Sequence, residues 1–187
     1  DHAGGNRAIR RAIPGVRIVA AAAEQARVPC ANERVDDLGQ LRVGRLVATA
    51  HLVPGHTLGS VVWEVRTEAD PEAHAVAFTG DTLFCGGCGR LFESSATQFH
   101  DSLRRLRERL QPDCRLFSGH EYAVMLLTMA VRSEPLNLAA RKKLAQVREM
   151  RRAKLPSVPC TLKEEMEYNP WMRASVEELA LLCGCEN

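Results

Sequence analysis

The spacing of apolar residues changes once along this chain. Up to about residue 120, short apolar runs alternate with polar breaks, as buried strands do; beyond it the apolar positions recur every three or four residues, as helices require. Val16 to Ala22 is a continuous apolar run and predicts a buried strand. Leu41 to Val53 carries Val43-Gly44-Arg45 between two β-rich arms and predicts a hairpin. Ser60 to Val65 and Ala75 to Thr79 predict two strands joined through Glu68-Ala69-Asp70-Pro71, and Cys114 to Phe117 predicts another. Two helices interrupt the series. Asn6 to Arg11 is stopped by Pro14. Ser95 to Leu110 opens on a capping box of Ser95 and Gln98, and its Phe99, Leu103, Leu106 and Leu110 fall on one face.

Beyond residue 120 helices are predicted at Tyr122 to Arg132 and Leu138 to Lys154, with capping boxes at Thr161/Glu164 and Ser175/Glu178. Pro135, Pro156, Pro159 and Pro170 punctuate these pieces, and no β-rich run is visible among them. The expected organisation is an α/β domain over residues 1–124 followed by an all-helical domain over residues 125–187.

Composition narrows the partners. The 187 residues are 45% hydrophobic and 26% charged, an ordinary globular balance, and the net charge of +2 is too small to argue for nucleic acid or an anionic membrane. No apolar stretch reaches the ~20 residues of a spanning helix. The expectation is no nucleic acid and no membrane, while the patterns leave oligomeric state open. The basic stretch of Arg141, Lys142, Lys143, Arg148, Arg151, Arg152 and Lys154 reads as a solvated helix face. Seven cysteines, an odd number without a scaffold rhythm, read as free thiols in a reducing compartment. Cys85-Gly86-Gly87-Cys88 has the spacing of a redox or zinc pair but no helix after it and no second pair, so it reads as structural; Cys183 and Cys185 read as an unstructured tail.

The candidate chemistry lies in His and Asp residues at Gly-rich breaks. Asp1-His2 opens the chain, and His56, Asp81 and His120 directly follow Gly55, Gly80 and Gly119. Scattered His and carboxylate ligands at the ends of apolar runs build a catalytic rather than a structural metal site. His51 within a strand, His74 in a polar turn and His100 on a helix face read as structural or surface residues. Asp81 is the carboxylate placed to bridge two ions. Two cations lower the pKa of a shared water, polarise a carbonyl and stabilise a departing thiolate, which suits hydrolysis of an ester, thioester or amide. No Gly-x-Ser-x-Gly elbow or P-loop offers a rival mechanism.

Four segments carry a family resemblance: Asp1-His2, Pro54 to Thr57, Gly80-Asp81-Thr82-Leu83-Phe84 with Gly87-Cys88-Gly89-Arg90, and Gly119 to Tyr122. Glu134-Pro135, Pro156 to Pro159, Glu164-Glu165 and Tyr168 to Arg173 extend it. Together they resemble glyoxalase II, the hydroxyacylglutathione hydrolases of the metallo-β-lactamase superfamily. The resemblance implies a metallo-β-lactamase-type αββα sandwich, lacking its opening strands, with a C-terminal all-helical, substrate-binding domain. It implies two divalent metal ions, zinc first, with iron or manganese suited to the same shells. It implies a metal-dependent thioesterase that cleaves S-2-hydroxyacylglutathione, S-D-lactoylglutathione in particular, to a 2-hydroxy acid and glutathione.

By the same resemblance, Asp1, His2 and His120 hold the second metal, His56 the first, and Asp81 both, which makes Asp1 and Asp81 the catalytic pair. Arg90, Phe92 and Tyr122 contact the glutathione part, Phe92 supplying a ring without a hydroxyl. A cytoplasmic placement follows, with a mitochondrial one open. The family's paired His of H-x-H would precede residue 1, so this chain alone is expected to hold the first metal weakly and to be inactive. Ala123 to Leu127 replaces a polar T-x-x-N-L, and no basic stretch closes the C-terminus. Two alternatives therefore stand: a hydrolase for another thiol carrier, and a degenerate, non-catalytic member.

Overall fold

The computed structural model describes residues 2–69 and 75–184. Asp1, the Asp70-Pro71 junction, His74 and Cys185, all singled out above, lie outside the described residues.

The centre is a six-stranded sheet. The predicted hairpin forms β3 (Gln40–Val43) and β4 (Leu46–Leu52), paired antiparallel, with Gly44 taking the positive φ of 59° that the turn needs. Next come β5 (Val61–Thr67) and β6 (Val76–Gly80), each antiparallel to its predecessor, and β9 (Arg115–Ser118), parallel to β6. The crossover between β6 and β9 contains the short hairpin β7 (Leu83–Phe84) and β8 (Gly87–Cys88), then helix α2 (Ala96–Arg109). Phe99, Leu103, Leu106 and Leu110 bury the predicted face of α2, in one core with Val53, Val62, Ala77 and Leu116 of the sheet. At its start the Ser95 hydroxyl accepts from the Gln98 N–H.

Three regions differ from expectation. The run from Val16 to Ala22 yields only the strand β1 (Val19–Ala21) before a 3₁₀ turn at Ala22–Glu24. Its partner is the parallel strand β2 (Glu33–Val35), too short and polar to show a period. The helical region also returns a strand: β10 (Cys160–Thr161) closes the sheet antiparallel to β9, and two residues carry no periodicity to read. The basic helix is not wholly solvated. Within α4 (Leu138–Arg152) Lys143 is buried and pairs with Glu164 at 3.1 Å.

The other helices are α1 (Asn6–Ala12), α3 (Ala123–Ser133), α5 (Leu162–Tyr168) and α6 (Val176–Cys183). Reciprocal capping boxes at Thr161/Glu164 and Ser175/Glu178 start the last two. Cys183 is therefore the last residue of a helix, where a tail was expected. The core runs unbroken from the sheet residues through Leu127, Leu144, Trp171 and Leu179.

Candidate metal centre

The sheet delivers its candidate ligands to one end. Gly80 ends β6 with φ +51°, a left-handed turn that costs glycine little, and this turns Asp81 out of the strand. Three imidazoles converge on a single Asp81 oxygen: Oδ2 lies 3.2 Å from His2 Nε2, 3.4 Å from His120 Nε2 and 3.6 Å from His56 Nε2. Gly119 is needed for closeness rather than for its backbone angle. A Cβ there would sit 2.6 Å from both Asp81 Oδ1 and His2 Cε1.

Hydrogen bonding fixes the chemistry of this cluster. His56 Nδ1 lies 2.8 Å from the Arg90 carbonyl oxygen, which can only accept, so Nδ1 carries the proton. In the neutral imidazole with its proton at Nδ1, the Nε2 lone pair faces a carboxylate oxygen, an arrangement of two acceptors that suits a cation between them. The other carboxylate oxygen, Asp81 Oδ1, is buried and makes no hydrogen bond among the described residues. A buried acceptor without a donor is costly. Both observations fit divalent metal binding with His2, Asp81, His120 and His56 as the donors. The first three have ligand atoms within 4.8 Å of one another. The predicted His56, Asp81, His120 and His2 are thus brought together, with the imidazoles partly open to solvent.

Aromatic rings flank the cluster. Tyr122 stacks on His120 at 5.0 Å, and Phe92 packs at 4.9 Å from His56. Both are exposed on their far sides, at 44% and 66%. Arg90 is also exposed, and its backbone rather than its guanidinium meets His56. Leu126, which replaces an expected polar residue, is buried, and the space beside Gly87 that a Cβ would need is filled by its side chain. Met125, one residue earlier, faces outward.

Sequence reasoning missed the supports behind the ligands. Phe84 is buried 5.4 Å from the Tyr122 ring and 6.4 Å from His120. Glu121 accepts from Ser157 N at 2.9 Å and Ser157 Oγ at 2.5 Å, tying the segment after His120 to the loop before β10. Deeper still, fully buried Glu165 accepts from Gly86 N at 3.1 Å, Tyr168 Oη at 2.6 Å and Asn169 Nδ2 at 2.7 Å, so it anchors the β7–β8 hairpin. Burial pushes the Glu165 carboxyl above its usual range despite these donors. Cys85, Cys160 and Glu165 form a second, closed donor cluster, where the Cys85 hydrogen bond and burial push the Cys160 thiol up and keep it protonated. The one available signal was the Glu164-Glu165 and Tyr168-Asn169 motif, which reveals position but not partner. His51 keeps the structural role expected of it, buried 2.9 Å from Glu64.

This sheet, with its ligands at one end, is a metallo-β-lactamase fold. A metallo-β-lactamase structure from Staphylococcus aureus superposes with a TM-score of 0.68 at 16% identity, covering 98% of this chain and 49% of that one. The family model for the hydroxyacylglutathione hydrolase C-terminus matches residues 121–187. The cytoplasmic hydroxyacylglutathione hydrolase of Arabidopsis thaliana is 37% identical over 188 residues, spanning all of this chain and 71% of the relative. The hydroxyacylglutathione hydrolase of Hyphomonas neptunium is 37% identical over 98% of this chain and 69% of its own length. The chain belongs to the hydroxyacylglutathione hydrolase family. Among the described residues no helix is long and apolar enough to cross a membrane.

Proposed function

We propose that this chain is a thioester hydrolase of the glyoxalase II type, acting on S-2-hydroxyacylglutathione, with S-D-lactoylglutathione as the reference substrate. The products are a 2-hydroxy acid and glutathione. The observation that carries this reading is the convergence of three imidazole nitrogens on Asp81 Oδ2 in a chain of this family. His2, Asp81 and His120, with Asp1, would hold one divalent cation. His56 and Asp81 would hold another. Zinc suits this mixed His/carboxylate donor set best. Such ions supply a lowered water pKa and polarisation of the thioester carbonyl.

The chain's own groups do the rest. The Arg90 carbonyl holds the His56 proton at Nδ1 and keeps Nε2 aimed at Asp81. Tyr122 and Phe92 form two apolar walls that shield the thioester and orient it between them. The Arg90 guanidinium, free to swing at the surface, pairs with a glutathione carboxylate. Residues 1–124 form the metal-binding unit and residues 125–187 the helical unit that receives the thiol carrier. The activity belongs to the cytoplasm, as in the Arabidopsis relative named for it.

The test is steady-state hydrolysis of S-D-lactoylglutathione by the full-length protein, beside thioesters of other thiol carriers. Turnover that prefers the glutathione thioester and disappears in Asp81→Asn supports the reading. Preference for another carrier replaces the substrate, and absence of turnover with every thioester makes the chain a non-catalytic member.

A further inference from the structure

The mechanism leaves one close pair of reactive groups unused. Cys88 closes the β7–β8 hairpin and Cys183 ends α6, 95 residues later, yet their sulfurs lie 4.0 Å apart. A disulfide needs about 2.0 Å, a gap that side-chain rotation can close in a pair already in contact. From this geometry we infer that Cys88 and Cys183 form a redox modification site, oxidised to an intramolecular disulfide by low-molecular-weight disulfides.

The surroundings assign the two thiols different parts. Cys183 is half-buried, whereas Cys88 is buried, so a soluble disulfide reaches Cys183 first. The Cys183 sulfur accepts from the Cys88 thiol and from the Trp171 indole, and both donors hold its pKa below the ordinary thiol value despite burial. Donors around a sulfur favour the thiolate, which is the attacking species. The Cys183 thiolate attacks one sulfur of RSSR, breaks its S–S bond and releases RS⁻. Cys88, losing its proton, then attacks Cys183 Sγ in the mixed disulfide and expels the second RS⁻. Two protein thiols are oxidised, one RSSR is reduced to two RSH, and both protons go to the leaving thiolates.

The bridge has a route to the metal centre. Directly after Cys88 come Gly89, which has no room for a Cβ against the Asp81 carbonyl, and Arg90, whose carbonyl orients His56. Oxidation thus fastens α6 to the end of β8, from which the segment making those two contacts leads on. The other close thiols, Cys85 and Cys160, are both buried and have no comparable access.

The protein is incubated with oxidised glutathione, alkylated, and examined by peptide mass mapping and thermal melting. The expected result is a loss of about 2 Da confined to a Cys88–Cys183 linkage. Tm should rise by about 5 °C or more, because the bridge constrains a long loop of the unfolded chain. A thiol reductant should reverse both changes. Cys183→Ser should lose the linkage and the Tm rise while melting normally when reduced. Cys30→Ser, at an exposed cysteine, and Cys185→Ser should keep both. A lasting glutathione adduct on Cys183, a Cys183–Cys185 or Cys85–Cys160 bridge instead, or no mass change would each overturn the proposal.

Discussion

Two carboxylates on either side of the β7–β8 hairpin are treated in opposite ways. Glu165 is fully buried and accepts from three donors on Gly86, Tyr168 and Asn169. Asp81 is partly open, faces three imidazole nitrogens, and keeps one buried oxygen without a donor among the described residues. A fold that satisfies one carboxylate so completely and leaves the other wanting has assigned them different tasks. Glu165 holds the hairpin in place; Asp81 is kept for a ligand that brings positive charge. The contrast separates stability from function within one short segment.

The largest effect should come from breaking the satisfied side. Glu165→Ala strands three donors in the core and should cost roughly 3–5 kcal/mol in urea unfolding. If the variant does not fold, Glu165→Gln serves in its place and also tests the titration. Burial raises the Glu165 carboxyl, so folding favours its protonated form. Its contribution is complete below the ordinary carboxyl value of 4.5 and declines as pH rises through the higher folded-state value. The cost of Glu165→Gln should therefore shrink as pH rises above 4.5. A cost that grows with pH would reverse the sign of the argument.

On the other side, Asp81→Asn should leave metal-free stability within about 1 kcal/mol, since it removes no donor-satisfied group. Divalent-metal affinity should nonetheless fall by at least about a hundredfold, measured by competition with a chelating dye. A strongly destabilised metal-free variant would erase the contrast between the two carboxylates. At the rim, Arg90→Ala should raise KM about ten- to a hundredfold with kcat little changed, because a charge-assisted contact is worth roughly 1.5–3 kcal/mol and does no chemistry. The smallest effect belongs to Ser95→Ala. It removes the hydroxyl that caps α2 and should cost about 1 kcal/mol of stability with metal affinity little changed.

The sequence showed the open side of this comparison more clearly than the satisfied one. Asp81, His56, His120 and His2 were legible because each stands beside a glycine or at a motif end, and ligand chemistry restricts the residue types. The α2 face and the β3–β4 hairpin were legible because their periods run long enough to read. Glu165 was visible only as a motif letter, since its partner Gly86 lies 79 residues away and its short spacing to Tyr168 and Asn169 does not reveal the bonds they make. Strand β10 and the seat of Lys143 were hidden for the same reason: two residues of strand, or one lysine turned inward, are decided by tertiary packing. Cys183 reads as tail in the sequence because the helix it ends is short, although the Ser175 box marks that helix's start.

The central claim is that Asp81 and its three histidines form a metal centre. Its most direct test is the zinc content of the protein and of Asp81→Asn after equilibrium dialysis against buffered zinc, with Cys160→Ser measured alongside. The account predicts that Cys160→Ser retains zinc like the parent and that Asp81→Asn loses it. Zinc kept by Asp81→Asn but lost in Cys160→Ser would place the metal in the buried Cys85–Cys160–Glu165 cluster and contradict the account.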